Sequence, residues 1–174
     1  TYAYDQSACS SPRLICWVGI PSTVEQASQD FYQELQNVIQ EKGYEVSLGN
    51  QLYKKAFMYD AALSISMQKV MTLSNELSII FIEKLTHQLR NHCGQGLLYH
   101  VALLNLDEIT AFVSFHDQTL SYYGFKQEEL QKLASKINGK GLSRFVPFGQ
   151  ALIFETIWDG QNLLTEFSQT VTLY

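Results

Sequence analysis

The sequence predicts an α/β protein built as a three-layer, open, mainly parallel sheet with helices on both faces. Three observations carry this reading. The runs Leu14–Val18, Leu77–Glu83 and Leu97–Leu104 have strand length and are apolar with little alternation, the pattern of strands buried on both faces. Between and after them lie stretches whose apolar residues recur every three or four positions, the signature of helices laid against a sheet. The 174 residues, 46% of them hydrophobic and 13% aromatic, suffice for a sizeable core.

The elements follow in order. A strand is expected from Arg13 to Val18. Pro21-Ser22-Thr23 then introduces a helix in which Val24, Ala27, Phe31, Leu35, Val38 and Ile39 share a face. Ser22 or Thr23 can cap it, and Gly43 ends it. A second long helix is expected from about Gln51 to Leu73, with Leu52, Ala56, Tyr59, Leu63, Met67, Val70 and Met71 as its buried stripe. After the two central strands come a short helix at Leu106-Asp107-Glu108-Ile109, a strand over Thr119–Phe125, and an amphipathic helix over Gln127–Ile137 closed by Asn138-Gly139. Arg144–Phe148 reads as a last strand. Trp158-Asp159-Gly160 forms a turn, with Asp159 capping a final helix over about Gln161–Ser168.

Composition narrows the function. The formal net charge is −5, and Lys54-Lys55 is the single adjacent basic pair, so the chain offers no footprint for nucleic acid. No apolar run approaches the roughly 20 residues that span a bilayer. Cys9, Cys16 and Cys93 show no CxxC spacing, which speaks against a disulfide framework or a metal site and fits the cytoplasm. Gly94-Gln95-Gly96 lacks the third glycine of a dinucleotide fingerprint. The chain opens on Thr1-Tyr2 without an initiator methionine, which reads as a fragment of a longer polypeptide.

Chemistry points to the segment Asp5-Gln6-Ser7-Ala8-Cys9-Ser10-Ser11-Pro12. It sets a cysteine among small polar turn-formers directly before a strand. A thiol reacts as thiolate, and a tight turn with free backbone N–H groups favours that anion and can later hold an oxyanion. Ser10 and Ser11 are turn-formers without a chemical role.

This segment resembles the nucleophile region of the LuxC-type fatty acyl-CoA reductases, a branch of the aldehyde dehydrogenase superfamily. At the far end, Arg144-Phe145-Val146-Pro147-Phe148-Gly149-Gln150-Ala151-Leu152 and Ile157-Trp158-Asp159-Gly160 are similar to the family's terminal segment. Asp117-Gln118-Thr119 is similar to a Leu-Gln-Thr of family members, with aspartate in place of leucine. Ser7 stands where the superfamily usually has glutamine. The resemblance implies that residues 1–174 form the cysteine-bearing catalytic domain, similar to that of the aldehyde dehydrogenases, with the nucleotide-binding domain upstream. It implies Cys9 as nucleophile, its backbone N–H as oxyanion donor, and NADPH as reductant held mainly by the missing domain. The substrate implied is a fatty acyl-CoA or acyl-protein thioester, and the product a fatty aldehyde of the kind luciferase consumes. An acyl-protein synthetase, an acyl transferase and a homo-oligomer are the partners implied.

The remaining polar residues are weaker candidates. His87 and His92 sit in what reads as a solvated segment, and His100 falls inside a strand. His116 and Gln118, at a loop, can line a pocket, as can Trp158, which packing would explain equally well. In the superfamily the general base is a glutamate of the nucleotide-binding portion. Two further readings stay open: a free-standing α/β interaction module, and a thioester-handling acyltransferase without hydride chemistry.

Overall fold

In a computed structural model, which describes residues 2–173, the chain divides into two units, Thr1–Glu108 and Ile109–Tyr174. The first contains β1 (Leu14–Val18), α1 (Pro21–Glu41), α2 (Leu48–Ser64), β2 (Met67–Thr72), β3 (Ser78–Ile82) and β4 (Leu97–Leu103). Its sheet runs β1-β4-β3-β2, with β1–β4 and β4–β3 parallel and β2 antiparallel at the edge. β3 is buried at every position, as its unbroken apolar run requires.

Pleating sorts the side chains into two layers. Ile79, Phe81 and Leu98 face α1, where they join Tyr32, Ile39 and Leu77 in one cluster. The opposite register holds Tyr99, which lines a small cavity of about 260 Å³ with Phe57, Ala61 and Ile65, so α2 and its C-terminal flank cover the other face. The fold is therefore the expected three-layer α/β arrangement. Fully burying a residue such as Ile79 or Leu98 stabilises it by about 1.5–3 kcal/mol.

Three details of this first unit differ from expectation. Neither Ser22 nor Thr23 caps α1, whose N-cap is Ile20 without a side-chain bond. Pro21 at the first turn lacks one of the orphan N–H groups and presets φ, which lessens the need for a cap. The second helix stops at Ser64, and residues 67–72 form β2 instead of its last turns. The Leu73 N–H bonds to the Leu77 carbonyl, closing a tight connection that lays β2 on β3, and sheet pairing overrides the helical period. In α2 itself the expected stripe is turned outward: Leu52, Tyr59 and Leu63 are exposed, while Lys54 and Ala61 are buried.

The second unit contains β5 (Thr119–Tyr122) parallel to β6 (Arg144–Pro147), α3 (Gln127–Ile137), a hairpin of β7 (Ile157–Trp158) and β8 (Gln161–Asn162), and the four-residue α4 (Leu163–Glu166). α3 buries Leu130, Leu133 and Ile137 and ends on left-handed Asn138. Its start is fixed by the Glu129 carboxylate, which accepts the Lys126 N–H at 2.8 Å. Asp159 does not cap a helix. With Gly160 it forms the two-residue hairpin turn, both at positive φ, and Asn162 caps α4 instead.

Candidate active site

Cys9 occupies the second position of a β-turn closed by the Ser11 N–H on the Ala8 carbonyl at 3.0 Å. Its side chain is exposed. Its own N–H has no hydrogen-bond partner among the described residues, so it is available to a developing oxyanion. The turn forms one wall of a cleft of about 420 Å³. Arg13, Asn50, Tyr53 and the segment His92-Cys93-Gly94-Gln95 complete it.

That second segment holds the cysteine loop by backbone contact. The Gln95 N–H donates to the Asp5 carbonyl at 2.8 Å, and the Tyr44 hydroxyl donates to Asp5 Oδ1 at 3.0 Å. A Cβ at Gly94 would lie 2.6 Å from the Asp5 oxygen, and one at Gly96 would lie 1.6 Å from the Glu76 oxygen. Glycine is required at both by close approach and by φ of +71° and +73°. Gly94-Gln95-Gly96 therefore clamps the cysteine loop. Its Cβ spaces are filled by the chain's own carbonyls, so it offers no cradle for a dinucleotide pyrophosphate. Behind it the buried Lys54 ammonium donates to the Gln95 carbonyl at 2.9 Å and the Asn75 carbonyl at 2.6 Å, and burial holds its pKa below the usual lysine value.

The loop itself is strained. Tyr4, Asp5 and Gln6 are all left-handed, at φ of 57°, 55° and 60°. Each such residue costs roughly 1–2 kcal/mol, so surrounding bonds must hold them there.

Titration separates the thiols and imidazoles of the first unit. Burial pushes the Cys16 thiol up to about 12 and the Cys93 thiol up to about 11, with the Lys54 charge opposing the latter. His92 is half-buried, where the sequence suggested a solvated segment, and burial lowers it to about 4. Its Nε2 faces the Leu97 carbonyl at 2.9 Å and its Nδ1 receives the Gly94 N–H at 2.9 Å. A carbonyl accepts only, so Nε2 carries the proton and the ring is neutral with both nitrogens occupied. His92 braces the clamp and is not a base for Cys9. His100 is likewise buried and lowered to about 4, with Nδ1 at 3.0 Å from the Tyr32 hydroxyl. Among the described residues no three His, Cys, Asp or Glu side chains gather as a metal site.

The sequence profile described as acyl-CoA reductase (LuxC) matches residues 1–170. The chain belongs to the LuxC acyl-CoA reductase family. No curated protein matches it. LuxC membership places the chain in an oxidoreductase that acts on an acyl substrate, and no helix among the described residues is long and apolar enough to cross a membrane.

The other candidate residues of this LuxC chain lie in the second unit. His116 is exposed and packs on Phe115, with ring centroids 3.8 Å apart. Gln118 is exposed, and its carbonyl accepts the Arg144 N–H at 3.1 Å. Trp158 is half-buried between Phe154 and the Arg144 guanidinium, which lies 4.1 Å from its ring centroid. Sequence reasoning missed Gln6, Arg13, His92 and Gln95 as neighbours of Cys9. The available signal was the pair of glycines around Gln95, a mark of close backbone approach.

Proposed function

We propose that this chain is the cysteine-bearing catalytic domain of a reductase that converts a fatty acyl-CoA or acyl-protein thioester to a fatty aldehyde. The observation that carries the reading is the exposed Cys9 thiol on a turn with an unpartnered N–H, facing a cleft, in a member of the LuxC family. In the acylation step, Cys9 Sγ as thiolate attacks the thioester carbonyl carbon. The new C–S bond converts the carbonyl oxygen to an oxyanion, to which the Cys9 N–H donates. Collapse expels the coenzyme A or carrier thiolate, which takes up a proton, and leaves the acyl group on Cys9. One such donor is worth about 3 kcal/mol to the transition state.

When bound, NADPH would supply the hydride that releases the aldehyde. Among the described residues the Gly94-Gln95-Gly96 segment has its Cβ spaces filled by the chain's own carbonyls and offers no pyrophosphate cradle, and we assign NADPH binding to a nucleotide domain outside residues 1–174, together with the general base. A cytoplasmic homo-oligomer serving an acyl-protein synthetase and an acyl transferase is the setting this reading implies. Incubation with long-chain acyl-CoA should add one hydroxylamine-labile acyl group, and Cys9→Ala should abolish it. Retained acylation in that variant would sink the proposal.

A further inference from the structure

Gln6, the second residue of the cysteine segment, is almost fully buried, at 3% exposure, although it is a glutamine in a surface loop. Gln6 Nε2 donates to the Pro12 carbonyl and to the Leu97 carbonyl, both at 2.8 Å. Gln6 stands just before the Cys9 turn and Pro12 just after it, while Leu97 is the first residue of β4. One amide thus joins both ends of the loop to the central sheet. The amide orientation is settled by these partners, since the flipped form would set an oxygen against two carbonyl oxygens. Its Oε1 is buried with no partner, as is Gln95 Oε1 beside it in the clamp. Gln6 itself is left-handed, the last of the three strained residues. An unpaired acceptor and a left-handed run are both unfavourable, and they persist where the surroundings over-determine the geometry.

We propose that Gln6 is a positioning residue for the acyl transfer, clipping the two ends of the loop so that Cys9 Sγ and the Cys9 N–H are presented together to the thioester. The inference rests on Cys9 being the nucleophile. Gln6 touches no substrate in it. Its two N–H groups act on Pro12 and Leu97, and through them on the turn. Without the clip the loop relaxes from its left-handed conformation, and the distance and angle of attack are lost, while the outer binding cleft remains.

The test uses the native polypeptide with Gln6→Met, which keeps the volume and removes both donors, and Gln6→Glu, which keeps the shape. Two readouts are taken on protein confirmed folded by circular dichroism: single-turnover acylation by long-chain acyl-CoA, and alkylation of Cys9 by iodoacetamide, mapped by mass spectrometry. In Gln6→Met the saturated acylation rate should fall about 100-fold, the scale of a misplacement near 1 Å, with the half-saturating concentration changed less than about twofold. In Gln6→Glu the rate relative to wild type should rise as pH falls, because the protonated carboxyl regains one donor. Equal saturated rates in Gln6→Met and wild type overturn the inference while leaving Cys9 as nucleophile. Acylation that survives Cys9→Ala overturns the nucleophile reading. In that case the alkylation rates decide the clip alone: a changed rate in Gln6→Met upholds it and an unchanged rate removes it.

Discussion

Burial takes the Cys16 and Cys93 thiols out of the reactive range by pushing both well above neutral pH, and it leaves Cys9 as the exposed thiol of the cleft. Cys16→Ser and Cys93→Ser should therefore retain acylation, at a stability cost of roughly 1–3 kcal/mol where the hydroxyl is buried without a partner, read by denaturant titration beside the mass measurement. Gly94 makes a sharper demand. A methyl there meets the Asp5 carbonyl at 2.6 Å on a backbone with φ +71°. Gly94→Ala should lower stability by about 1–2 kcal/mol from conformation alone. It should also slow acylation more than stability accounts for, because the displaced carbonyl carries the cysteine loop. An unchanged acylation rate would contradict the clamp. The turn that carries Cys9 was legible in the sequence because the small polar residues around it are local turn signals. Gln6 was not, since its bond to Leu97 spans 91 positions and no short-range pattern announces such a contact.

At the scale of elements, legibility follows locality too. α3 matches the expected span Gln127–Ile137, because its apolar spacing, the Glu129 contact to Lys126 and left-handed Asn138 all lie within it or one residue from its ends. Leu133 sits at the centre of its buried face at 0% exposure, so Leu133→Ala should cost about 2–5 kcal/mol, measured by chemical denaturation. A loss below about 1 kcal/mol would mean that α3 is not packed as described. The α2–β2 stretch was misread for the opposite reason. Met67, Val70 and Met71 continue a helical stripe in sequence, but β3 offers an unpaired edge, and the ladder from Met67–Ile82 to Thr72–Ser78 takes those residues as a strand. The same error assigned Leu52, Tyr59 and Leu63 to the core, whereas α2 turns Lys54 inward to bond two carbonyls of the clamp region. At the C-terminal end, Trp158-Asp159-Gly160 was correctly a turn, yet it joins two strands rather than opening a helix.

For the whole molecule, the two buried histidines tie stability to pH. In the unfolded chain each binds a proton near 6.5, but in the folded chain only near 4, because burial opposes the charged ring. Between those values the unfolded state holds more protons, so stability is full above about pH 6.5 and is lost as pH falls toward 4. Each contributes on the order of 3 kcal/mol to that loss. Denaturant midpoints at pH 7.5, 5 and 4 should fall steadily, and a midpoint flat over this range would contradict the neutral, doubly bonded state of His92. The three-layer α/β arrangement around that core was readable from strand-length apolar runs, and the LuxC relationship from two short segments at opposite ends of the chain. The cleft was not readable, because it forms where residues 6–13, 50–53 and 92–95 converge. The central claim is that Cys9 carries the acyl group. Intact-mass spectrometry of the native gene product before and after long-chain acyl-CoA, followed by peptide mapping, tests it most directly. The account predicts one hydroxylamine-labile acyl group on the peptide containing Cys9. An acyl group on another residue, or no adduct at all, would contradict it.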